Sequence, residues 1–305
     1  MTDSAVKCLP SEAKGILRIK SVLCPIDFSE FSIKAYDYAQ SLAAHYRSDL
    51  LVLHVMYSHR AFYVDDAYRK ILRKLRTDAT RKLKRFLKRQ TWARVNPQPL
   101  VQDGIATDEI LSLAETQAVN LIVMGTHGLR GVDRIMVGSV AERVLRKARC
   151  PVLVVRKPAH DFVSSGKDTD PVSLKRIVLG MDFSEHAHHS LKYALSFAKG
   201  YNAQLTVVHV VEHFGRSSPR ASTISKATNQ LRESVPPGDS RSLAVKYLAR
   251  VGKPYQQITE LAVESKTDLV ILGVRGHGSL NSALFGSTVS RVIQLGPCPV
   301  LAVNF

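Results

Sequence analysis

Two glycine patterns are the part of this 305-residue chain best suited to chemistry. Gly125-Thr126-His127-Gly128 is followed, after nine residues, by Gly138-Ser139. Gly273-Val274-Arg275-Gly276 is followed, after nine residues, by Gly286-Ser287. Glycine lets backbone approach an oxyanion without a Cβ in the way and adopts positive φ without strain. A strand-like apolar run precedes each pattern, and a helical pattern begins at each Gly-Ser pair. The free N–H groups and dipole of a helix start favour an anion, so this arrangement suits a phosphate. The hydroxyls of Ser139, Ser287 and Thr288 can each add a hydrogen bond. One such loop could equally be a plain strand-to-helix turn. Two copies with one spacing, each in the same context, favour phosphate binding.

Two aspartates accompany the loops. Asp27 and Asp182 each close the first apolar run of their copy, inside the shared string Asp-Phe-Ser-Glu. A carboxylate there can accept from a ribose hydroxyl or an adenine amino group. The competing role is the N-cap of the next helix, which Ser29 or Ser184 can fill instead. The ligand role is therefore the preferred reading.

The elements that must position these groups come as a repeat. VLCPIDFSEF at 22–31 returns as IVLGMDFSEH at 177–186, and LVLHV at 51–55 as TVVHV at 206–210. LIVMGTHG at 121–128 returns as LVILGVRG at 269–276, and CPVLVV at 150–155 as CPVLAV at 298–303. The expected division is a tail at 1–16, domain 1 at 17–157, a polar linker at 158–173 and domain 2 at 174–305. In domain 1 the runs Val22–Ile26, Leu50–Val55, Leu121–Met124 and Val152–Val155 read as buried parallel strands, with a weaker one near Gln98–Gln102. Helical patterns cover 30–46, Asp108–Ala118 (after Thr107 as N-cap) and Val137–Lys147. Alternating strands and helices imply doubly wound sheets, which bind ligands beyond the carboxyl ends of the strands.

Composition narrows the classes. Hydrophobic residues at 45% and charged residues at 23% are those of a soluble globular chain. No apolar run nears the ~20 residues of a membrane span, and the first residues lack the apolar core of a secretory signal. The cysteines, Cys8, Cys24, Cys150 and Cys298, are scattered, which suits free thiols in a cytoplasm. A net charge of +17 points to phosphate-bearing partners without choosing among them.

Two further features compete for function. Ala67–Arg89 holds eleven Lys or Arg against one acid, Asp78, with Tyr68, Leu72, Leu75, Ala79, Leu83, Phe86 and Leu87 at mostly helical steps. It reads as an amphipathic helix with a solvated basic face, or as a dock for nucleic acid or an anionic surface. His186, His188 and His189 cluster near a helix start, and His186 and His189, three apart on one face, could hold Zn²⁺ with a carboxylate, but domain 1 has no counterpart. The segments Phe214–Thr228 and Ser234–Ser240 read as loops over the second site.

The quoted strings together resemble the universal stress protein family, in both halves, and the arrangement is similar to its tandem members. The resemblance implies two tandem doubly wound parallel five-stranded sheets, strand order 3-2-1-4-5, flanked by helices. It implies an ATP site, with AMP or ADP as alternatives and Mg²⁺ as an accompanying ion. Pro25, Ile26 and Asp27 would hold the nucleoside, and Val55 would meet the adenine through its backbone. Met124, Gly125, His127, Gly128, Gly138, Ser139 and Val140 would line the phosphates. The second set is Gly180, Met181, Asp182 and Val210, with Leu272, Gly273, Arg275, Gly276, Gly286, Ser287 and Thr288. It also implies that the last strands pair, so that the two halves form an intrachain pseudo-dimer; a homodimer is compatible. The loops carry one carboxylate, Asp133, against Asn281 in the second copy, so slow hydrolysis is compatible and efficient catalysis is not supported. The expected function is a nucleotide-responsive binding or signalling module in the stress response, with a protein partner that the sequence does not name. The alternatives are a nucleic-acid or anionic-surface binder using helix 67–89, or a scaffold that needs no nucleotide.

Overall fold

The computed structural model describes residues 18–57, 66–90, 92, 94–126, 137–156, 161–163, 172–212, 221–274 and 286–304, with backbone alone at 66–68. The first half runs β1 (Ser21–Pro25), α1 (Glu30–Tyr46), β2 (Asp49–Tyr57), α2 (Asp66–Gln90), β3 (Pro97–Gly104), α3 (Ala106–Thr116), β4 (Leu121–Gly125), α4 (Ser139–Lys147) and β5 (Val152–Val155). The second half runs β6 (Arg176–Gly180), α5 (Glu185–Tyr201), β7 (Gln204–Val211), α6 (Ala221–Ser234), α7 (Pro237–Ser242), β8 (Val245–Val251), α8 (Pro254–Glu264), β9 (Leu269–Gly273), α9 (Ser287–Leu295) and β10 (Val300–Val303).

Each half has the order 3-2-1-4-5, and the two are joined edge to edge. The full order is β3-β2-β1-β4-β5-β10-β9-β6-β7-β8. Every pair is parallel except β5 with β10, where Leu153 lies opposite Leu301 in antiparallel register. The five-stranded sheets implied by the resemblance thus form one ten-stranded sheet, and the pairing of the last strands closes the β5 and β10 edges of the two halves.

The strands are apolar on both faces because helices cover both. Neighbouring side chains point to opposite sides: Val22 and Cys24 join the layer under α1, α2, α5 and α6, while Leu23 joins the layer under α3, α4, α8 and α9. A polar clamp sets the strand starts. Asn120 Oδ1 accepts from the Lys20 and Ser21 amides at 2.8 and 3.1 Å. Asp268 does the same for Lys175 and Arg176 at 2.9 and 2.8 Å.

Several local expectations change. Thr107 is not a cap: α3 starts at Ala106 after Ile105, with no side-chain cap bond, and Thr107 is buried. Its hydroxyl sits inside the first turn, so the backbone, not a cap, sets this start. Leu75, placed on the apolar face of the basic helix, is 52% exposed. The stretch read as a linker is partly core: Phe162, Val163 and Val172 are buried, and the Tyr38 hydroxyl donates to Asp161 at 2.7 Å. Of the two segments read as loops, residues from Ala221 onward belong to α6 and Pro237–Ser242 form α7, while 213–220 lie outside the described residues.

Candidate functional site

The site in each half starts from a strained turn. Phe28 and Phe183, just past β1 and β6, have φ of 67° and 62°. Positive φ is costly for a bulky residue, by about 1–3 kcal/mol, and persists only where surroundings enforce it. Ring packing does so here. Phe28 lies 4.9 Å from the His54 ring and 5.9 Å from Phe86, and Phe183 lies 4.6 Å from His209. His54 Nδ1 donates to the Ile26 carbonyl at 2.8 Å, and His209 Nδ1 to the Met181 carbonyl at 2.7 Å. The second strand therefore grips the turn that follows the first, at equivalent positions of both copies.

The turn ends in a helix cap. Ser29 Oγ accepts from the Ser32 amide and Ser184 Oγ from the Ala187 amide, both at 3.2 Å. The serines, not the aspartates, cap α1 and α5. Asp27 Oδ1 accepts from the Ser29 amide at 3.0 Å; Asp182 Oδ1 accepts from both the amide and the hydroxyl of Ser184, at 3.0 and 2.5 Å. Each carboxylate is thereby oriented at the carboxyl edge of the sheet by its own turn.

The strand order reverses beside this turn. β1 pairs with β2 on one side and with β4 on the other, the latter through Val22 and Leu23 only. β6 pairs with β9 through Ile177 to Leu179. The chain crosses from one face to the other here, which opens a crevice above the strand ends. Gly125 closes one wall: a Cβ on it would lie 2.7 Å from the Phe31 carbonyl carbon and 2.8 Å from its oxygen. At Gly273 the matching approach is to His186, at 3.2 Å. Glycine is needed because the helix backbone rests on the strand end.

Past the strand end, Gly138 N–H donates to the Thr126 carbonyl at 2.7 Å, bringing the start of α4 back to the end of β4. Gly138 and Gly286 stand at the N-cap positions of α4 and α9, and neither helix has a side-chain cap bond. Glycine offers no side-chain acceptor, so the first N–H groups of both helices are left to another acceptor. Ser139 and Ser287 are exposed at the first helical position.

The expected residues divide by what they can present. Ile26 and Met181, next to the aspartates, have buried side chains in the core, as have Met124, Leu272 and Val210. They can meet a ligand only through backbone. Pro25 and Gly180 end β1 and β6, Val55 lies in β2 and is half-buried, and Val140 and Thr288 are half-buried in the first turns of α4 and α9. His127, Gly128, Arg275 and Gly276 lie outside the described residues. The sequence reading missed His54, His209, Phe28 and Phe183, although each pair sits 155 residues apart in the repeat, which was the available signal.

Among the described residues no group of three His, Cys, Asp or Glu is placed to hold a metal ion. His188 Nδ1 instead bonds the Ser184 carbonyl at 2.9 Å. Burial, then Lys192 and His186, push the His189 pKa below its usual value. No described helix is long and apolar enough to cross a membrane.

The comparisons agree with this architecture. The profile of the universal stress protein family matches residues 18–156 and again 173–304. A universal stress protein of Methanocaldococcus jannaschii is 33% identical over 144 residues, 47% of this chain and 85% of that one. One from Thermus aquaticus is 32% identical over 143 residues, 43% of this chain and 98% of its own length. A solved universal stress protein from Archaeoglobus fulgidus superimposes with a TM-score of 0.66 at 22% identity, covering 94% of this chain and 97% of its own. With its signature present in both halves, this chain belongs to the universal stress protein family as a tandem, two-domain member.

Proposed function

We propose that the chain is a nucleotide-responsive module with two adenine-nucleotide sites, one in each half, taking ATP, ADP or AMP. The observation that carries this reading is the twofold occurrence of one geometry. A crevice opens where the strand order reverses, and an uncapped helix start faces it from Gly138 or Gly286. In this reading the first N–H groups of α4 and α9 bind phosphate oxygens. Asp27 and Asp182 accept from the ribose hydroxyls, and the backbones at Ile26, Val55, Met181 and Val210 border the base. An accompanying Mg²⁺ would be held by the phosphates of ATP and not by a protein cage. Occupancy changes the exposed surface and so the protein partner engaged; hydrolysis, if present, is slow. The division at 158–173 separates the two nucleotide domains, and the free thiols among the described residues, Cys24, Cys150 and Cys298, suit a cytoplasmic setting.

The test is the nucleotide content of the purified protein and ATP titration of Ser139→Asp and Ser287→Asp. An acid at the first helical position favours the helix but repels a phosphate at the same point. The wild type is expected to bind about two nucleotides, and each variant about one, with unchanged stability. A wild type that binds none at millimolar ATP, or variants that keep both, would sink the reading.

A further inference from the structure

We infer that the outward face of α2 is a docking surface for the phosphate backbone of double-helical nucleic acid. This does not depend on the nucleotide sites.

The helix uses its apolar side completely in one stretch. Leu83 and Leu87 are buried against the sheet, and Leu72, Ala79 and Phe86 are half-buried beside them. One exposed cation is engaged by the neighbouring strand: Arg76 donates to the Val101 carbonyl at 3.1 Å and lies 3.8 Å from Asp103. Lys82 lies over the Phe28 ring at 4.0 Å from its centroid. Of the nine other exposed cations, seven share the opposite side, and Arg69 and Arg89 lie on the flanks. At 100° per residue, Lys70, Lys74, Arg81, Lys84, Arg85, Lys88 and Arg73 fall within about one-third of the helix circumference. Among the described side chains of the helix the one acid is Asp78, which is tied to Arg81 at 2.9 Å.

From Lys70 to Lys88 the stripe is about 27 Å long. That is close to one turn of duplex, at about 34 Å, and the cations fall into two groups, 70–74 and 81–88, about 10 Å apart along the axis. Such a row meets several phosphates at once. The equivalent helix of the second half, α6, carries only Lys226 and Arg232 with Glu233. The basic face is therefore a property of one half and not of the fold.

A membrane surface fits less well. An interfacial helix buries an apolar face in lipid, and that face of α2 is already spent on the sheet. Among the described side chains only Ile71 and Leu75, 56% and 52% exposed, remain on its flank near one end.

The experiment uses the full chain and a fluorescent DNA duplex of about 20 base pairs, titrated by anisotropy between about 0.05 and 0.2 M salt. Wild type should bind with a log–log salt slope near −4, about 0.9 for each phosphate neutralised. Lys70→Gln/Lys74→Gln/Arg85→Gln/Lys88→Gln should flatten that slope by about 3 and weaken binding about 100-fold at ~0.1 M salt. Lys147→Gln/Lys246→Gln/Lys253→Gln/Lys266→Gln removes the same charge from exposed sites elsewhere and should change binding less than about threefold. Lys70→Arg/Lys74→Arg/Lys88→Arg keeps the charge and should bind like wild type, which separates charge from folding. No duplex binding at the lowest salt overturns the inference. So does equal loss in the scattered variant, or binding to phosphatidylserine vesicles without binding to duplex.

Discussion

Replacing Gly125 by alanine should damage the protein far more than the same change at Gly273, although the two glycines are equivalent in the repeat. The added Cβ at 125 would meet the Phe31 carbonyl group at 2.7–2.8 Å, whereas at 273 the nearest atoms of His186 lie at 3.2 Å. Carbon contacts prefer about 3.5 Å. The first case therefore requires α1 to retreat by about 0.8 Å, and the second requires α5 to retreat by about 0.3 Å. Both obstacles are backbone, so neither can be relieved by a rotamer change. Overpacking of this kind costs about 1–3 kcal/mol, against about 0.4–1 kcal/mol regained by restricting the unfolded chain. The expected net loss is about 2 kcal/mol for Gly125→Ala and near zero for Gly273→Ala. For a domain of this size that is a fall in Tm of about 4–8 °C in the first case. Urea denaturation and calorimetry read the stability directly. Gly125→Ala should also weaken nucleotide binding in the first half, because α1 carries the Asp27 turn with it. Equal losses at the two positions, or a larger loss at Gly273, would refute the reasoning from backbone approach.

Other expectations follow from the core and from buried thiols. Leu301→Ala removes a fully buried side chain opposite Leu153 at the one antiparallel junction, and should cost about 3 kcal/mol in urea denaturation. Burial pushes the Cys298 thiol up to about 12, with Asp268 adding to the shift, and the Cys150 thiol up to about 11. A thiol whose folded pKa is raised holds its proton longer in the folded state, so its stabilising effect is complete below the unfolded value near 8.5. That effect is lost as pH rises through about 11 and 12. The urea midpoint should therefore fall between about pH 9 and 11, and less steeply in Cys298→Ala than in wild type.

How much of this was legible in the chain follows from where the information is stored. The strands and helices are written locally: apolar runs such as Leu121–Met124 and the 3.6-residue pattern of 30–46 need no partner to be recognised. The internal repeat then made the second half readable from the first. The glycines at the strand ends and helix starts, Gly125, Gly138, Gly273 and Gly286, were legible for the same reason, since close backbone approach leaves a residue-type signature. Pairings between distant groups carry no such mark. Nothing in the string shows that His54 Nδ1 reaches the Ile26 carbonyl, that Phe86 braces Phe28, or that Phe162 is buried in a stretch that reads as polar linker. The exposure of Leu75 was hidden likewise, because a periodic pattern records a helix face but not how far the sheet extends beneath it. The sequence by itself thus determined the elements, the tandem family and the residues at the strand ends. Only the tertiary structure decided which side chains at the strand ends point into the core, how closely α1 rests on Gly125, and that two sheets become one. Those outcomes depend on contacts between residues far apart in the chain, and close packing is settled only once all of them are in place.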